Sequence, residues 1–415
     1  MNDLPTLPRA LASVVSETLA EFPVVVVTGA RQTGKTTLVR RLLHDDRAYR
    51  TLDDLRVLEQ AQREPDLLVR DAERLTLDEV QRVPDLLRAV KREVDRHRSP
   101  GRFLLTGSSN LLLMGRVSET LAGRAAYLRL GPLTESEKAS NVTAPPWEAL
   151  LRADDAVGAL RVLASRRSAP GRDWTEAACE GGYPPVPPLS AQGRARWFDG
   201  YVATYLERDL QQLASIDSLS DFRRLAEIAT LRLGGIVNQA ELARDAGLSR
   251  PTAHRYLNLL EASYQLRRLR PFAKTRTARV VKSPKLYWTD TGLAAHMAGL
   301  GSAAALTAAA RRGAFLENLL LAHLDVWAET VTPRPSFHYW RTADGIEVDF
   351  VLEHERRLLP IEVKASTRAR SADAGGIEKF FAHHRSAKVG LVVHTGDDAY
   401  ALTPRIAAVP LHAVI

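Results

Sequence analysis

The sequence has very little cysteine and no long apolar runs. Cys179 is the only cysteine among 415 residues, which excludes an internal disulfide and a cysteine-rich zinc site. No apolar stretch approaches the length of a membrane span, and residues 1–10 lack the basic start and long apolar core of a secretion signal. We therefore expect a cytoplasmic protein without a membrane partner, and we interpret Cys179 as a small core residue.

Acidic residues are also in deficit. The chain has 49 Asp and Glu against 57 Lys and Arg, which gives a formal net charge of +8 and a sequence pI near 9.7. Such a surplus favours polyanionic partners, because clustered cations release counterions when they meet phosphates. Arginine greatly outnumbers lysine and alanine is abundant, however, and genomic base composition can produce that bias alone. The distribution of charges along the chain therefore has to show whether the cations form a surface for a polyanion.

The most specific motif is a glycine-rich loop behind a run of four valines that reads as a buried strand. Gly29–Thr36 matches G-x-x-x-x-G-K-[ST] at every fixed position, which predicts a phosphate-binding loop. The alternative interpretation is a glycine turn that binds nothing. Gly29 and Gly34 let several backbone N–H groups point at one phosphate, and the following helix adds its positive end. We expect Lys35 to neutralise the β and γ phosphates and Thr36 to give Mg²⁺ a hydroxyl ligand. The predicted nucleotide-binding residues are Gly29, Ala30, Arg31, Gln32, Thr33, Gly34, Lys35, Thr36 and Thr37.

Two acids follow the next strand-like segment, Leu75–Leu77. Asp78 is placed to hold the Mg²⁺ shell, and Glu79 is placed to polarise the attacking water. An acidic pair after leucines is common, and a surface carboxylate pair is the alternative. The order of the two motifs along the chain favours the catalytic interpretation.

Further polar residues follow a third strand-like segment, Phe103–Gly107. In a doubly wound sheet such a strand end lies beside the phosphates. Ser108, Ser109 or Asn110 can therefore sense the γ-phosphate, although all three are also ordinary turn residues. We select Ser109 as the candidate. Either Arg116 or Arg124 can stabilise transition-state charge, and a solvated helix arginine is the alternative for each. We select Arg124 as the candidate.

Together these motifs resemble the AAA-type ATPases of bacteria and archaea, a family that usually carries a C-terminal domain of unknown function, number 4143. The resemblance rests on the strings Gly29–Thr36, Leu77–Gln81, Leu105–Ser109 and Leu121–Arg124. It continues through Tyr205–Leu210 and on to about Ser366, so it covers most of the chain. The resemblance implies hydrolysis of ATP with Mg²⁺ as cofactor, and it does not determine what the ATP drives.

A helix-turn-helix pattern follows a helical region that prolines and glycines punctuate. Asn238–Ala246 forms a short amphipathic helix, Gly247 ends it, and Ser249 caps a second helix. In such a unit the start and the exposed side of the second helix meet base edges and phosphates. The candidate DNA-binding residues on this helix are Arg250, Thr252, His254 and Arg255.

A basic segment follows directly, since residues 262–289 contain no acidic residue. Its cations are Arg267, Arg268, Arg270, Lys274, Arg276, Arg279, Lys282 and Lys285. Strand-like pieces at 265–270 and 285–288 predict a hairpin whose basic tip adds Lys274 and Arg276 to the DNA-binding residues. The unit then reads as a winged helix, and its charge favours DNA as a partner. A protein contact and a merely solvated basic loop are the alternatives.

The C-terminal part predicts a β-hairpin with acids and a lysine on one face. The segments 345–352 and 359–365 both alternate polar and apolar residues. Asp349 and Glu362 can hold Mg²⁺ or Mn²⁺ through oxygen ligands, and Lys364 can orient the attacking water or neutralise a phosphate.

The order of these residues, with Glu317 on a preceding helix as an outer metal ligand, resembles the PD-(D/E)xK nuclease superfamily. This resemblance implies metal-dependent phosphodiester hydrolysis with Asp349, Glu362 and Lys364 as catalytic residues. The motif is short and degenerate. An exposed hairpin with cross-strand ion pairs is one alternative, and a nuclease-like domain that has lost cleavage is another.

The sequence therefore predicts an α/β chain of four domains. They are a P-loop, AAA-type parallel sheet at 1–150, a helical connecting region at 151–230, a winged helix at 231–310 and an α/β restriction-endonuclease-like domain at 311–415. The predicted function is an ATP-hydrolysing, DNA-binding protein whose metal-dependent nuclease activity is controlled by ATP. The alternative is a regulatory ATPase that binds DNA or protein partners through a non-catalytic nuclease-like domain. We leave open whether the chain assembles into a homo-oligomer.

Overall fold

The structure is a computed structural model that describes residues 6–42, 47–107, 121–165, 172–204, 216, 218–273 and 283–415. The chain divides into two compact units. Unit 1 comprises residues 1–142, 183–185 and 262–265, and unit 2 comprises residues 143–182, 186–261 and 266–415. Three predicted site residues, Ser109, Lys274 and Arg276, lie outside the described residues. The boundaries of the four predicted domains stay a prediction.

Unit 1 is built around a parallel sheet of five strands. The strands are β1 (Val24–Thr28), β2 (Ala48–Thr51), β3 (Leu75–Asp78), β4 (Phe103–Gly107) and β5 (Ala125–Arg129). Their order across the sheet is β2-β3-β4-β1-β5, and every pairing is parallel. β1 contains the four valines, whose branched side chains favour strands, and all of its residues are buried. This sheet confirms the predicted α/β class.

Helices cover both faces of this sheet. They are α1 (Leu11–Glu21), α2 (Lys35–Thr37), α3 (Leu55–Arg63), α4 (Pro65–Leu68), α5 (Leu86–Arg96) and α6 (Glu135–Lys138), with a π-type turn at Leu38–Leu42 and a 3-10 turn at Val80–Arg82. Successive residues of β1 point to opposite faces. Val24 and Val26 therefore pack in the core that α5 covers. Val25 and Val27 pack in the core that α1 covers.

Unit 2 begins with helices, as the sequence predicts for the connecting region. They are α7 (Trp147–Arg152), α8 (Ala156–Ala164), α9 (Trp174–Glu180), α10 (Ala191–Tyr201) and α11 (Leu219–Leu231). The side chains of Asp155, Ser190 and Ser218 cap three of them by accepting hydrogen bonds from backbone N–H groups of the first turn. Cys179 is buried, as predicted, and burial raises its pKa to about 11, so the thiol stays protonated at neutral pH.

Two helices and two strands lie where the helix-turn-helix and its hairpin are predicted. They are α12 (Gln239–Asp245), α13 (Arg250–Ala262), β6 (Leu266–Leu269) and β7 (Lys285–Trp288). Asn238 caps α12 through its side-chain oxygen, and Gly247 follows the helix with a φ of +63°, a conformation that glycine adopts without strain. The Ser249 hydroxyl accepts a hydrogen bond from the Thr252 backbone N–H at 3.2 Å, which fixes the start of α13.

The C-terminal part of unit 2 contains a mixed sheet of six strands. They are β8 (Ser336–Arg341), β9 (Glu347–His354), β10 (Arg357–Lys364), β11 (Gly390–His394), β12 (Tyr400–Thr403) and β13 (Ile406–Pro410), in the order β12-β13-β11-β10-β9-β8. β9 and β10 form the predicted hairpin, with Phe350 opposite Ile361. Its turn residues Glu355 and Arg356 both have positive φ, at +48° and +66°, as a two-residue hairpin loop requires.

The remaining helices surround this sheet and the β6–β7 hairpin. They are α14 (Thr291–Met297), α15 (Ala303–Ala308), α16 (Arg312–Ala328) and α17 (Gly375–His383), with 3-10 turns at Ser371–Ala374 and Leu411–Ala413. In the described part of the chain, no helix has both the length and the apolar character that a membrane crossing needs.

Candidate nucleotide site and carboxylate cluster

The carboxyl ends of three strands of unit 1 meet around Asp78. β4 lies between β1 and β3, so the loop after β1, the end of β3 and the end of β4 come together. Asp78 is 2 % exposed. Its Oδ2 accepts hydrogen bonds from the hydroxyls of Thr36 at 2.8 Å and Tyr49 at 2.7 Å, and its Oδ1 accepts one from the Thr106 hydroxyl. The structure thus brings together Thr36 and Asp78, the two residues predicted to hold Mg²⁺.

The backbone of the phosphate loop requires its glycines. Gly34 has a φ of +91° and lies directly before α2. A Cβ atom on Gly29 would lie 2.3 Å from the carbonyl oxygen of Leu130, a backbone atom that cannot easily move away. This tight turn leaves the first N–H groups of α2 without intrahelical partners, which is the arrangement that binds phosphate.

Lys35 holds a buried ammonium group. The residue is 5 % exposed, and its Nζ donates to the carbonyl oxygens of Gly29 at 3.1 Å and Ala30 at 2.8 Å. Burial lowers the pKa of Lys35 to about 8, although the nearby carboxylates of Glu79 and Asp78 act in the opposite direction. Carbonyl oxygens carry only partial charge, so a phosphate oxygen would be a stronger partner than either of them.

Glu79 is held in a strained conformation next to Asp78. Its φ of +61° lies in the left-handed region, where non-glycine residues are uncommon. Its carboxylate accepts a hydrogen bond from the Gln81 side-chain amide, and its backbone N–H donates to the Thr106 hydroxyl at 3.3 Å. Strain of this kind concentrates at functional sites. The contact with Gln81 orients the carboxylate that is predicted to polarise water, and the contact with Thr106 holds the backbone.

Arg124, the predicted charge-stabilising arginine, is engaged within unit 1. Its Nε donates to Asp95 Oδ1 at 2.5 Å, and its Nη2 donates to Asp95 Oδ2 at 2.9 Å. The hydrogen bonds from Arg124 hold the pKa of Asp95 below its usual value. Arg124 has to break this two-point contact before it can reach a nucleotide, and its catalytic role stays a prediction. Ser109, the predicted γ-phosphate sensor, lies in the part of the chain that is not described.

Sequence reasoning missed a buried ion pair that holds the phosphate loop. The Arg9 guanidinium donates to the carbonyl oxygens of Thr33 at 2.7 Å and Gly131 at 2.6 Å. It also donates to Glu137 Oε1 at 3.2 Å, and both residues of this ion pair are buried. Arg9 and Glu137 are 128 residues apart, so no local pattern identifies the pair.

Three hydroxyl contacts at the strand ends were also missed. Tyr49 and Thr106 donate to Asp78, and the Tyr264 hydroxyl donates to the Thr28 hydroxyl at 2.9 Å. Thr106 could have been identified, because it lies at the end of a strand that was predicted to neighbour the phosphates. Tyr264 follows Thr28 by 236 residues and carries no local signal.

In unit 2 the β9–β10 hairpin places its predicted site residues close together. Asp349 Oδ2 accepts a hydrogen bond from the Val363 backbone N–H at 2.9 Å. Lys364 Nζ donates to Glu362 Oε1 at 2.7 Å. Glu362 Oε2 is buried and has no hydrogen-bond partner among the described residues. Glu317 reaches the same cluster from α16, where its Oε2 accepts a hydrogen bond from the Tyr287 hydroxyl at 2.7 Å.

A second lysine, Lys285 of β7, lies among these carboxylates. It is 3 % exposed, and its ammonium contacts Glu347 Oε1. The same Nζ lies 3.8 Å from Glu317 Oε2 and 3.7 Å from Asp349 Oδ1. Lys285 therefore does not add to the electropositive patch predicted for residues 262–289, because carboxylates from α16 and β9 surround it.

Burial also controls the protonation of the cluster. It raises the pKa of Glu317 and of Glu362 to about 8, and the Asp349 carboxylate adds to both shifts. It raises the pKa of Asp349 as well. Burial lowers the pKa of Lys285, but attraction to the surrounding carboxylates raises it by more, so the net shift is upward. At neutral pH the lysine stays charged while part of the carboxyl groups keep their protons.

This arrangement does not fit a divalent metal ion. Mg²⁺ and Mn²⁺ need several oxygen ligands around one open point, whereas the ammonium of Lys285 already contacts Glu347 and lies 3.7 Å from Asp349 and 3.8 Å from Glu317. Within the described residues, no three His, Cys, Asp or Glu side chains are placed to hold a metal ion. The metal-ligand role predicted for Glu317, Asp349 and Glu362 is thus not matched by the geometry.

The described candidates for DNA contact lie on α13. Arg250, His254 and Arg255 are exposed, whereas the Thr252 hydroxyl contacts the Ser249 hydroxyl at 2.8 Å and belongs to the helix cap. His254 Nδ1 lies 3.2 Å from Gln239 Oε1 of α12. A groove of about 580 Å³ opens beside the two helices, and its polar lining includes Asn238, Gln239, Arg250, His254, Arg268 and Arg270.

Acids from elsewhere in unit 2 neutralise part of the basic segment. Arg267 pairs with Asp325 of α16 at 2.6 Å, and Arg268 Nε donates to Glu261 Oε2 at 2.8 Å. Together with the burial of Lys285, these pairs reduce the positive charge that the basic segment presents. Arg250, Arg255 and Arg270 are exposed and provide a smaller basic surface.

Three family models match the chain in succession. They are an AAA domain at residues 21–138, a domain of unknown function (DUF8612) at 171–304 and a domain of unknown function (DUF4143) at 312–414. The carboxylate cluster therefore joins two of these regions, since Lys285 lies in the second and its carboxylate partners lie in the third.

Relatives extend over almost the whole chain. Two uncharacterized proteins, from Mycobacterium bovis and Mycobacterium tuberculosis, are each 32 % identical to it over 417 residues, which is 98 % of this chain and 84 % of the relative. Among solved structures, a Walker-type ATPase of Pyrococcus abyssi is similar with a TM-score of 0.42 and 14 % identity, over 69 % of this chain and 94 % of that chain.

We expect the buried ammonium of Lys35 to lower the stability of the nucleotide-free protein. Its pKa is about 8 in the folded protein and 10.5 as an ordinary lysine. Between these values the unfolded chain binds more protons, so stability rises with pH and is lost as the pH falls towards 8. Relative to Lys35→Met, the parent should gain about 2 kcal/mol of unfolding free energy from about pH 7.5 to about pH 9.5, measured by urea unfolding.

The control for this experiment is Lys91→Met, which removes a partly exposed lysine from α5 of the same unit. Its unfolding free energy should follow that of the parent over the same pH range. A difference between parent and Lys35→Met that does not change with pH would contradict the expected burial effect.

Proposed function

The chain belongs to the family of AAA-domain proteins that end in a domain of unknown function, DUF4143, and we propose that its ATPase controls how the chain binds DNA. The AAA domain accounts for the binding and hydrolysis of a nucleoside triphosphate by unit 1. The relatives are uncharacterized, so the role of that hydrolysis is inferred from the residues of this chain.

The observation that supports the ATPase role best is the hydrogen bond from Thr36 to the buried carboxylate of Asp78. When bound, Mg²⁺ supplies positive charge that stabilises the triphosphate in the transition state. Lys35 would exchange its two carbonyl partners for oxygens of the β and γ phosphates. Glu79 would take the proton of the attacking water, with its carboxylate held in place by Gln81.

DNA binding is supported by the exposed cations of α13. The order of helix, turn, helix and paired strands is the one expected of the predicted winged helix, a unit in which the second helix enters the major groove. Arg250 and Arg255 are exposed on this helix, and the groove beside it is lined by arginines and by amide side chains. Arginines and amides are the side chains that contact phosphates and base edges.

Phosphodiester hydrolysis is a second candidate function. It is favoured by the convergence of Asp349, Glu362 and Lys364 on the β9–β10 hairpin. The position of Lys285 opposes it, because its ammonium lies 3.7 Å from Asp349 and 3.8 Å from Glu317, two of the predicted metal ligands. A domain that holds partners without cutting them is the alternative.

We expect Glu79→Gln to bind ATP without hydrolysing it. The amide cannot accept a proton from water, so the turnover number should fall by about 100-fold or more while nucleotide affinity changes little. Phosphate release measures turnover, and fluorescent ATP measures affinity. Glu73→Gln is the matched control, because it neutralises an exposed acid ahead of β3. Unchanged turnover in Glu79→Gln would remove Glu79 from the reaction.

We expect the double substitution Arg250→Ala and Arg255→Ala to lower the affinity for DNA and to reduce the salt dependence of that affinity. If both side chains contact phosphates, the slope of log affinity against log salt should decrease in magnitude by about 2. Fluorescence anisotropy with a labelled duplex over a salt series measures the slope. Arg223→Ala removes the same charge from α11, where Arg223 pairs with Glu227, and should leave the slope unchanged. Unchanged affinity and slope in the double variant would exclude this DNA surface.

A cleavage assay distinguishes a catalytic C-terminal domain from one that holds partners without cutting them. If that domain is catalytic, the parent should cut single-stranded, duplex or branched DNA in the presence of Mg²⁺ or Mn²⁺, and Asp349→Asn should lose this activity. Lys35→Ala, assayed with and without ATP, shows whether the nucleotide controls cutting. If the parent cuts none of these substrates, the domain holds partners without cleaving them.

A further inference from the structure

The carboxylate cluster of unit 2 already contains a cation at its centre. The ammonium of Lys285 makes one close contact, to Glu347, and lies 3.7 Å from Asp349 and 3.8 Å from Glu317. The ammonium therefore lies within ion-pair distance of three carboxylates, whereas a lysine in an ordinary surface ion pair contacts one. Its 3 % exposure keeps solvent from screening these interactions.

The position of Lys285 is set by the docking of β7 against α16. The Asn318 side chain forms two hydrogen bonds with the backbone of Trp288, accepting from its N–H at 2.7 Å and donating to its carbonyl oxygen at 2.8 Å. Tyr287 donates to Glu317 at 2.7 Å. These bonds fix the register of β7 on the helix that carries Glu317. Lys285 is therefore held in place by its own strand and does not depend on its carboxylate partners alone.

A divalent metal ion and this ammonium compete for the same oxygen atoms. The lysine is part of the chain, so its positive charge enters the cluster without the entropy cost of binding a free ion. A metal ion would have to displace it, because two cations at one point repel each other strongly in a buried site. We propose that Lys285 is the resident cation of this cluster and that its ammonium keeps divalent metal ions out.

This proposal rests on the second candidate function, phosphodiester hydrolysis, only because it concerns the same carboxylate cluster. Metal exclusion by Lys285 is a property of the folded cluster and is measured without DNA or ATP. Its failure would leave the ATPase and DNA-binding proposals untouched. The absence of cleavage by the parent would not by itself test it.

The test measures Mn²⁺ binding to nucleotide-free protein by isothermal titration calorimetry and by the electron paramagnetic resonance signal of free Mn²⁺. The parent should show no tight site at the cluster, whereas Lys285→Met should bind one Mn²⁺ at least tenfold more tightly. Adding Asp349→Asn to Lys285→Met should abolish the gain. Mn²⁺ should also raise the melting temperature of Lys285→Met and not that of the parent.

Arg341→Met is the matched control for charge. Arg341 is partly exposed and lies 3.2 Å from the other oxygen of Glu347, so its loss removes a cation from the same carboxylate without opening the centre of the cluster. Its affinity for Mn²⁺ should stay near that of the parent. An equal gain in Arg341→Met would show that net charge, and not the position of Lys285, controls metal binding.

Lys285→Met leaves buried carboxylates without their cation, so Lys285→Gln is made in parallel, because its amide still donates hydrogen bonds. A variant that folds only with Mn²⁺ supports the proposal. The parent alone can overturn it: tight binding of Mn²⁺ to the parent, lost in Asp349→Asn, would show that Lys285 does not exclude metal.

Discussion

The buried carboxylate of Asp78 is the constraint on which the nucleotide site depends. A buried carboxylate is stable only if its oxygens receive hydrogen bonds. Asp78 receives them from Thr36 after the phosphate loop, from Tyr49 of β2 and from Thr106 of β4. Because these donors come from different elements, moving the loop away from the sheet would remove one of the three hydrogen bonds that this buried charge receives. The site is therefore formed before a nucleotide arrives, and binding requires little reorganisation of the loop.

The same need for partners explains why the surplus of cations does not become a uniformly basic surface. Arginines and lysines of residues 262–289 meet acids that lie outside that segment, as Arg267 meets Asp325 and Lys285 meets Glu347. Burial makes these pairs necessary, since an unpaired buried charge costs several kcal/mol. Net charge therefore overstates the surface available for a polyanion. The exposed arginines of α13 are the more specific indication of where DNA would bind in the proposed function.

Local patterns predicted the elements of this chain better than the contacts between them. The phosphate loop, the acids after β3, the capped helices around Gly247 and the β9–β10 hairpin all follow from residues close in sequence, because turn chemistry and periodicity act over a few positions. The pairs Arg9–Glu137 and Lys285–Glu347 join distant segments. Periodicity gives the face on which a side chain lies, but not the element that packs against that face.

Lys35 and Lys285 are both buried, and their surroundings compensate the cost of a buried charge in opposite ways. Lys35 is surrounded by carbonyl oxygens, and burial lowers its pKa, so its charge is stabilised when an anion arrives. Lys285 is surrounded by carboxylates, and their attraction raises its pKa. The first site thus gains from binding a phosphate, whereas the second already contains a cation of the chain itself. If Lys285 is the resident cation, as we propose, metal chemistry at the carboxylate cluster requires that Lys285 first move away.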